Sequence, residues 1–276
     1  MKRFVFAVAL GLLFLPALLF AQANKKGAKV SMKELRIQNG ENSIYGKMFF
    51  PKDEEKHPVI IFSHGYNGSH NDFFDDCRFF AKNGYIAYSY DFCGGSARSS
   101  SSGRTTDMTL LTEKSDLLAV IDYFSAMENA DSSRIYLLGG SQGGLVTALA
   151  AEDVPDKVRA MALYFPAFCI PDDWRKNYPN ESLVPGELSF WGMTLGRGFF
   201  AGAISMDVNK ATGSYGGNVL IIHGDMDDIV PLRYAQEAQK RYANASLKVL
   251  KGERHGFSPA AAAQARKMVL EFTEAN

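Results

Sequence analysis

Residues 134–150 read RIYLLGGSQGGLVTALA, and the reading of this stretch decides the fold. An apolar, strand-like run, Arg134–Gly139, leads into Gly139-Gly140-Ser141-Gln142-Gly143. A run of small and aliphatic residues, Gln142–Ala151, leads out as a helix. A G-x-S-x-G sequence between a buried strand and a helix describes a sharp turn that holds the serine in strained backbone, with glycines where strand and helix crowd together. Such a turn puts the serine hydroxyl at the C-terminal edge of a sheet, with a helix N-terminus behind it. The pentapeptide alone arises by chance in many chains, and a glycine-rich connection without chemistry is the plain alternative. The flanking strand and helix weigh against that alternative.

The pattern around this turn repeats. Upstream, Glu34–Gln38 and Ser43–Phe50 read as strands across the hairpin signal Asn39-Gly40. Pro58–Ser63 (PVIIFS) is a continuous apolar strand of the kind buried on both faces. A helix over Asn71–Lys82 places Phe73, Phe74, Cys77, Phe80 and Ala81 on one face, and Gly84 stands just past its end. Tyr85–Asp91 is a strand and Thr109–Met127 a helix. Downstream come strand Val158–Phe165, strand Asn218–His223, helix Pro231–Tyr242, strand Ser246–Leu250 and helix Pro259–Thr273. Strands that alternate with helices predict an α/β protein: eight strands in a mostly parallel sheet, helices on both faces, and the first hairpin as the antiparallel part. The alternation fails once, from about 167 to 217, too long for an ordinary connection. That stretch holds Trp174, Tyr178, Phe190, Trp191, Phe199 and Phe200, and it reads as an inserted, partly helical lid.

A serine hydroxyl is a poor nucleophile at neutral pH, so it needs a neighbouring base and the base needs an orienting carboxylate. In this architecture they follow in the order Ser, acid, His, on loops at the C-terminal ends of later strands. His223-Gly224-Asp225-Met226-Asp227-Asp228-Ile229-Val230-Pro231 follows the penultimate strand, and Glu253-Arg254-His255-Gly256-Phe257 follows the last. Three aspartates compete for the acid. The spacing H-G-x-x-D-x-x-V-P favours Asp227, with Asp225 next and Asp228 as a loop or capping residue. His255 is the base candidate, the alternatives being His57, His64, His70 and His223, of which His223 reads as a structural hydrogen-bonder. An oxyanion needs two donors. One is the backbone N–H after the nucleophile, Gln142. The other comes from the loop after the first buried strand, His64-Gly65-Tyr66-Asn67-Gly68, where Tyr66 is the candidate and His64 braces the loop.

Composition and charge set limits. The chain has 276 residues, 46% hydrophobic and 22% charged, with Lys+Arg and Asp+Glu both at 30. A balanced globular composition gives no electrostatic ground for a nucleic-acid partner. Lys2 and Arg3 precede an apolar run from Phe4 to Phe20, and Ala21-Gln22-Ala23 follows. That is the layout of a secretory signal peptide cleaved after Ala23, which predicts a secreted or periplasmic protein; an uncleaved anchor is the alternative. Cys77, Cys93 and Cys169 match no metal or disulfide spacing and read as small buried hydrophobes.

With HGYNGS, GGSQGG, HGDMDDIVP and ERHGF at successive strand ends, the chain resembles the α/β-hydrolase superfamily over essentially its whole length after residue 23. Asp91-Phe92-Cys93-Gly94-Gly95-Ser96, the Ser-rich loop and Thr106-Asp107-Met108 resemble the feruloyl and cinnamoyl esterase branch. The resemblance implies Ser141, Asp227 and His255 as a triad and Tyr66 and Gln142 as the oxyanion hole. It also implies cleavage of aryl-acyl esters, with the lid forming part of the acyl pocket. Trp174 and Trp191 are the stacking candidates there, although aromatic clusters of this density are also plain core. The expected substrate is a small-molecule or polysaccharide-linked ester, and the reaction asks for no metal or organic cofactor. A serine peptidase or monoacylglycerol-type lipase with the same triad is the alternative, and a non-catalytic binding protein of this fold a remote one. A dienelactone-type hydrolase is disfavoured, because it carries Cys where this chain has Ser141.

Overall fold

Strand residues alternate between two apolar layers. Val59 and Ile61 of β3 (His57–Ser63) face one core while Ile60 and Phe62 face the other. Ile135 and Leu137 against Tyr136 and Leu138 do the same in β5 (Ala130–Gly140), as do Val219 and Ile221 against Leu220 and Ile222 in β9 (Asn218–Gly224). A strand apolar on both sides needs cover on both sides. The cover is α1 (Phe74–Lys82) and α8 (Pro259–Glu274) on one face. On the other lie α2 (Leu110–Ser125), α3 (Gln142–Asp153) and α7 (Arg233–Arg241). The structure is a computed structural model and describes residues 29–276. The signal-peptide expectation falls on residues 1–23 and lies outside the described residues. Among the described residues, no helix is long and apolar enough to cross a membrane.

With β1 (Val30–Asn39), β2 (Asn42–Pro51), β4 (Ile86–Tyr90), β6 (Ala160–Tyr164) and β10 (Ala245–Leu250), the sheet has eight strands in the order β1-β2-β4-β3-β5-β6-β9-β10. Only β1–β2 and β2–β4 are antiparallel; the remaining pairs run parallel. This is the eight-stranded, mostly parallel α/β sheet that the alternation predicts, the α/β-hydrolase fold. The first hairpin starts earlier than expected, at Val30, because its pairing extends to Pro51. The chain leaves β3 toward β4 on one side and returns to β5 on the other, so the crevice above the C-terminal ends of β3 and β5 is a topological switch point.

The 167–217 stretch is an insertion of mixed structure. It contains α4 (Ile170–Asn177), a hairpin of β7 (Glu187–Phe190) and β8 (Met193–Gly196), α5 (Arg197–Ser205) and α6 (Val208–Ala211). The expected helices are there, and the hairpin is an addition. Its turn residues Trp191 and Gly192 both have positive φ, 41° and 79°, the signature of a type I′ turn.

Candidate active site

Ser141 follows β5 directly and has φ 53° and ψ −120°, a conformation L-residues rarely adopt. The glycines around it explain why the turn closes. A Cβ on Gly143 would lie 2.3 Å from the carbonyl oxygens of both Ser63 and His64, and one on Gly139 would lie 2.2 Å from Gly143 O. Strand β3, strand β5 and helix α3 therefore meet at backbone distance. Ser141 opens α3, yet its side chain makes no capping hydrogen bond, which leaves the hydroxyl for other work.

His255 Nε2 lies 3.0 Å from Ser141 Oγ, and His255 Nδ1 lies 2.8 Å from Asp227 Oδ2. The three residues come from the loops after β5, β9 and β10. The Asp227 side chain is fully buried, and its Oδ1 accepts the backbone N–H groups of Ile229 (3.0 Å) and Val230 (2.8 Å). Burial alone would raise this carboxyl, but hydrogen bonds from His223, His255 and the Val230 N–H outweigh it and hold Asp227 well below the usual carboxylate range. A permanent carboxylate there fixes the His255 tautomer, with Nδ1 protonated and Nε2 free to take a proton from Ser141.

The competing residues separate cleanly. Asp225 accepts the Gly252 N–H at 2.6 Å and so ties the β9 and β10 loops together; Asp228 pairs on the surface with Arg254 at 3.2 Å. Neither caps a helix. His223 donates Nε2–H to Val230 O at 2.8 Å and lies 3.3 Å from Asp227 Oδ2, a structural role that also serves the acid. Its Nδ1 is buried without a partner. His64 accepts the Phe92 N–H at Nε2 (3.2 Å) and donates from Nδ1 to Gly65 O (2.7 Å), which braces the loop, and burial lowers its pKa. His57 and His70 pair with Asp53 and Asp91. The three cysteines are free and buried.

The expected oxyanion donors lie next to the serine. A Cβ on Gly65 would fall 3.1 Å from Ser141 Cβ, so the Tyr66 loop touches the nucleophile. Neither the Tyr66 nor the Gln142 backbone N–H meets a protein acceptor among the described residues. The Tyr66 side chain has a further use that the sequence does not announce. Its hydroxyl donates to Phe190 O at 2.6 Å, and its ring meets Phe190 and Trp191 edge-on. Asn67 Nδ2 donates to Trp191 O at 3.3 Å. The same loop therefore holds the insertion hairpin over Ser141.

Two cavities meet at Ser141, Tyr66 and Trp191. The first, about 130 Å³, runs beneath the insertion between Gln142, Ile170, Trp174, Phe190, Phe199 and Val230, with Asp173 and Asn177 as its polar groups. The second, about 390 Å³, lies beside His255, Phe165 and Phe257, with Asp72 and Asp76 on its wall. Of the two stacking candidates, Trp174 is 8% exposed and packed edge-on against Phe190 and Phe200, with part of its surface lining the first cavity. Trp191 is 60% exposed and lines both. Among the described residues, no cluster of His, Cys, Asp and Glu is placed to hold a metal ion.

The sheet order and this Ser–His–Asp arrangement together make the chain an α/β-hydrolase. The prolyl oligopeptidase family model matches residues 71–276, three-quarters of the chain, with Ser141, Asp227 and His255 inside the match, and the chain belongs to that family. Among solved structures it resembles Est1E from Butyrivibrio proteoclasticus with ferulic acid bound, at 26% identity and TM-score 0.77 over 86% of this chain and 98% of that one. It shares the fold of mouse alpha/beta hydrolase domain-containing protein 10, at 18% identity and TM-score 0.70 over 88% and 98%. By sequence it is similar to feruloyl esterase B of Neurospora crassa, 28% identical over 46% of this chain and 43% of that protein. The match spans less than half the length of the curated relatives.

Proposed function

We propose that the chain is an exported serine esterase that cleaves carboxylic esters of aryl-acyl or short acyl groups through an acyl-enzyme. The observation that carries this reading is the hydrogen-bonded series Ser141–His255–Asp227 at the meeting point of two cavities of different character. His255 Nε2 takes the Ser141 proton as Oγ attacks the ester carbonyl carbon. The oxyanion forms against the Tyr66 and Gln142 N–H groups, a contribution of about 10²–10³ in rate for each donor. Collapse breaks the bond to the alcohol oxygen, which leaves with the proton held by His255. Water, deprotonated by the same nitrogen, then attacks the acyl-enzyme and releases the acid and Ser141.

His255 must reach the leaving oxygen, so the cavity beside His255 takes the alcohol and the one beneath the insertion takes the acyl group. The acyl cavity is narrow and mostly apolar, and Asp173 and Asn177 can accept hydrogen bonds from a phenolic hydroxyl. The wider alcohol cavity suits a larger group, a sugar unit included. Residues 1–23 direct export in this reading, and the substrate is an external small-molecule or polysaccharide-linked ester.

The family match favours a second reading, in which the same residues cleave a peptide bond. A substrate panel of methyl ferulate, short p-nitrophenyl esters, a monoacylglycerol and an aminoacyl-anilide separates the two. Turnover of methyl ferulate and the short esters is the expected outcome; turnover confined to the anilide overturns the esterase reading. A fluorophosphonate probe should label the wild type and leave Ser141→Ala unlabelled. In the same assays His255→Ala and Asp227→Asn should lose about 10⁴-fold or more in kcat.

A further inference from the structure

Beneath the first turn of α3 lies a carboxyl that the ester chemistry does not use. Glu113, on α2, is 1% exposed and accepts a hydrogen bond from Gln142 Nε2 at 2.8 Å. That amide is its hydrogen-bond partner, and no cation pairs with it among the described residues. A buried carboxylate without a cation is costly, and the usual outcome is that the group keeps its proton.

The surroundings reinforce this. Asp116, one turn further along α2, is also 1% exposed and faces Glu113 as a like charge. It is held by Asn39 Nδ2 and the Cys93 N–H. Strand β4 presents Tyr90, whose hydroxyl meets Ser63 Oγ at 3.0 Å, and the loop after β3 presents Tyr66; both feel Glu113. The loop after β4 approaches at Gly95, where a Cβ would sit 3.1 Å from Glu113 Oε1. The first turn of α3 carries no acidic residue and brings the neutral Gln142 side chain. Helix α5, which packs on α2, opens with Arg197, but that guanidinium is spent on the carbonyls of Val184 and Glu181. Lys114, the next residue on α2, is paired with Asp153, so the charged group that acts on Glu113 is Asp116. Burial is the main cause that pushes Glu113 up, to about 8, against the lowering effect of the Gln142 amide.

Glu113 therefore holds the side chain of Gln142, whose backbone N–H is one of the two proposed oxyanion donors, and its charge is felt at the hydroxyl of Tyr66, the residue that carries the other. We infer that Glu113 is a positioning residue kept as a neutral acid, which anchors Gln142 and spares the oxyanion site an opposing charge, and that its ionisation slows acyl transfer. The inference rests on the esterase reading for its rate consequence, while the buried proton is observable without it. A negative charge buried beneath Gln142 opposes the developing oxyanion, an effect of about tenfold in rate. The sign follows: activity falls as pH rises through about 8. A histidine base acts in its neutral form, so a triad by itself gives no loss of rate on the alkaline side.

The test is kcat and KM for methyl ferulate from about pH 6 to about pH 10, together with infrared spectra of the wild type labelled with ¹³C-glutamate. The expected wild-type profile has an alkaline limb in kcat of about tenfold with KM unchanged. In Glu113→Gln the limb disappears, and in Glu113→Ala kcat is lowered throughout, because the anchor is lost as well. In the labelled wild type, a protonated glutamate carbonyl band present at neutral pH disappears along the limb. An alkaline limb of the same size in Glu113→Gln overturns the inference. So does the absence of a protonated glutamate band in the wild type, a result that needs no variant to fold. Failure of the wild type to turn over any ester or take the fluorophosphonate label defeats the esterase reading instead, and the infrared band still reports on Glu113.

Discussion

The turn at Ser141 and the insertion above it are neighbours built on opposite terms. At the turn, three backbone segments meet so closely that Gly139 and Gly143 have no room for a Cβ, and Ser141 is forced to φ 53°. The insertion meets the body at backbone distance at one point, where a Cβ on Gly196 would lie 2.1 Å from Thr106 O, and is otherwise held by aromatic packing and by side chains on carbonyl oxygens: Tyr66 on Phe190, Asn67 on Trp191 and Thr105 on Thr194, with Arg175 and Arg197 bonding within it. Sequence variation is absorbed in one region and not in the other. Positions that set the nucleophile are fixed by backbone contact, so almost any change breaks them. Positions that shape the acyl cavity rest on aromatic packing, which accepts substitution at the level of substrate preference.

The largest effect should fall on the turn. In Gly143→Ala the new methyl meets two backbone oxygens at 2.3 Å, and neither is free to move. A loss of about 3 kcal/mol or more in denaturant unfolding is expected, with fluorophosphonate labelling reduced in parallel. A variant of wild-type stability would show that the turn is looser than its contacts imply. An intermediate effect belongs to the cavity. Trp174→Ala should raise KM for methyl ferulate about tenfold and leave acetyl ester turnover within about threefold, as steady-state kinetics would show. Equal losses on both esters would place Trp174 in the frame instead of the cavity. The smallest effect comes from the insertion's own backbone. Gly202 in α5 has nothing within 4 Å of where a Cβ would sit, so Gly202→Ala should stabilise by about 0.5–1 kcal/mol, read as a slightly higher melting temperature. Destabilisation there would mean that the insertion packs as tightly as the turn.

The same contrast explains what the sequence discloses. Residues 134–150, the apolar strands and the loops after β9 and β10 spell out the sheet and place Ser141, Asp227 and His255 within hydrogen-bonding reach, because strand and helix periodicity and glycine punctuation are local signals. The choice among Asp225, Asp227 and Asp228 is also legible in spacing, while the reason, two backbone N–H groups on Asp227 Oδ1, needs the folded loop. The 167–217 insertion has turn residues in plenty, Pro185-Gly186 among them, but its helices and strands are only four to nine residues long, too short for a period to show. Its aromatic content marks it as ordered, but the β7–β8 hairpin turns on Trp191-Gly192, a pair unlike the Asn-Gly that announces this turn type. The Tyr66 hydroxyl on Phe190 spans 124 residues, and the Glu113 contact to Gln142 joins elements that no sequence period relates. Contacts of that kind appear only once the chain is folded.

Trp191 has a consequence of another sort. The chain has two tryptophans, and the two sit in contrasting surroundings: Trp174 enclosed among aromatic rings, Trp191 largely open to water on the ridge between the cavities. An indole in water emits at longer wavelength than one sheathed in hydrocarbon. The protein therefore carries a native optical reporter at the entrance to both cavities. Occupancy of either cavity can be followed in real time by a blue shift in emission, with no dye attached and no bond broken.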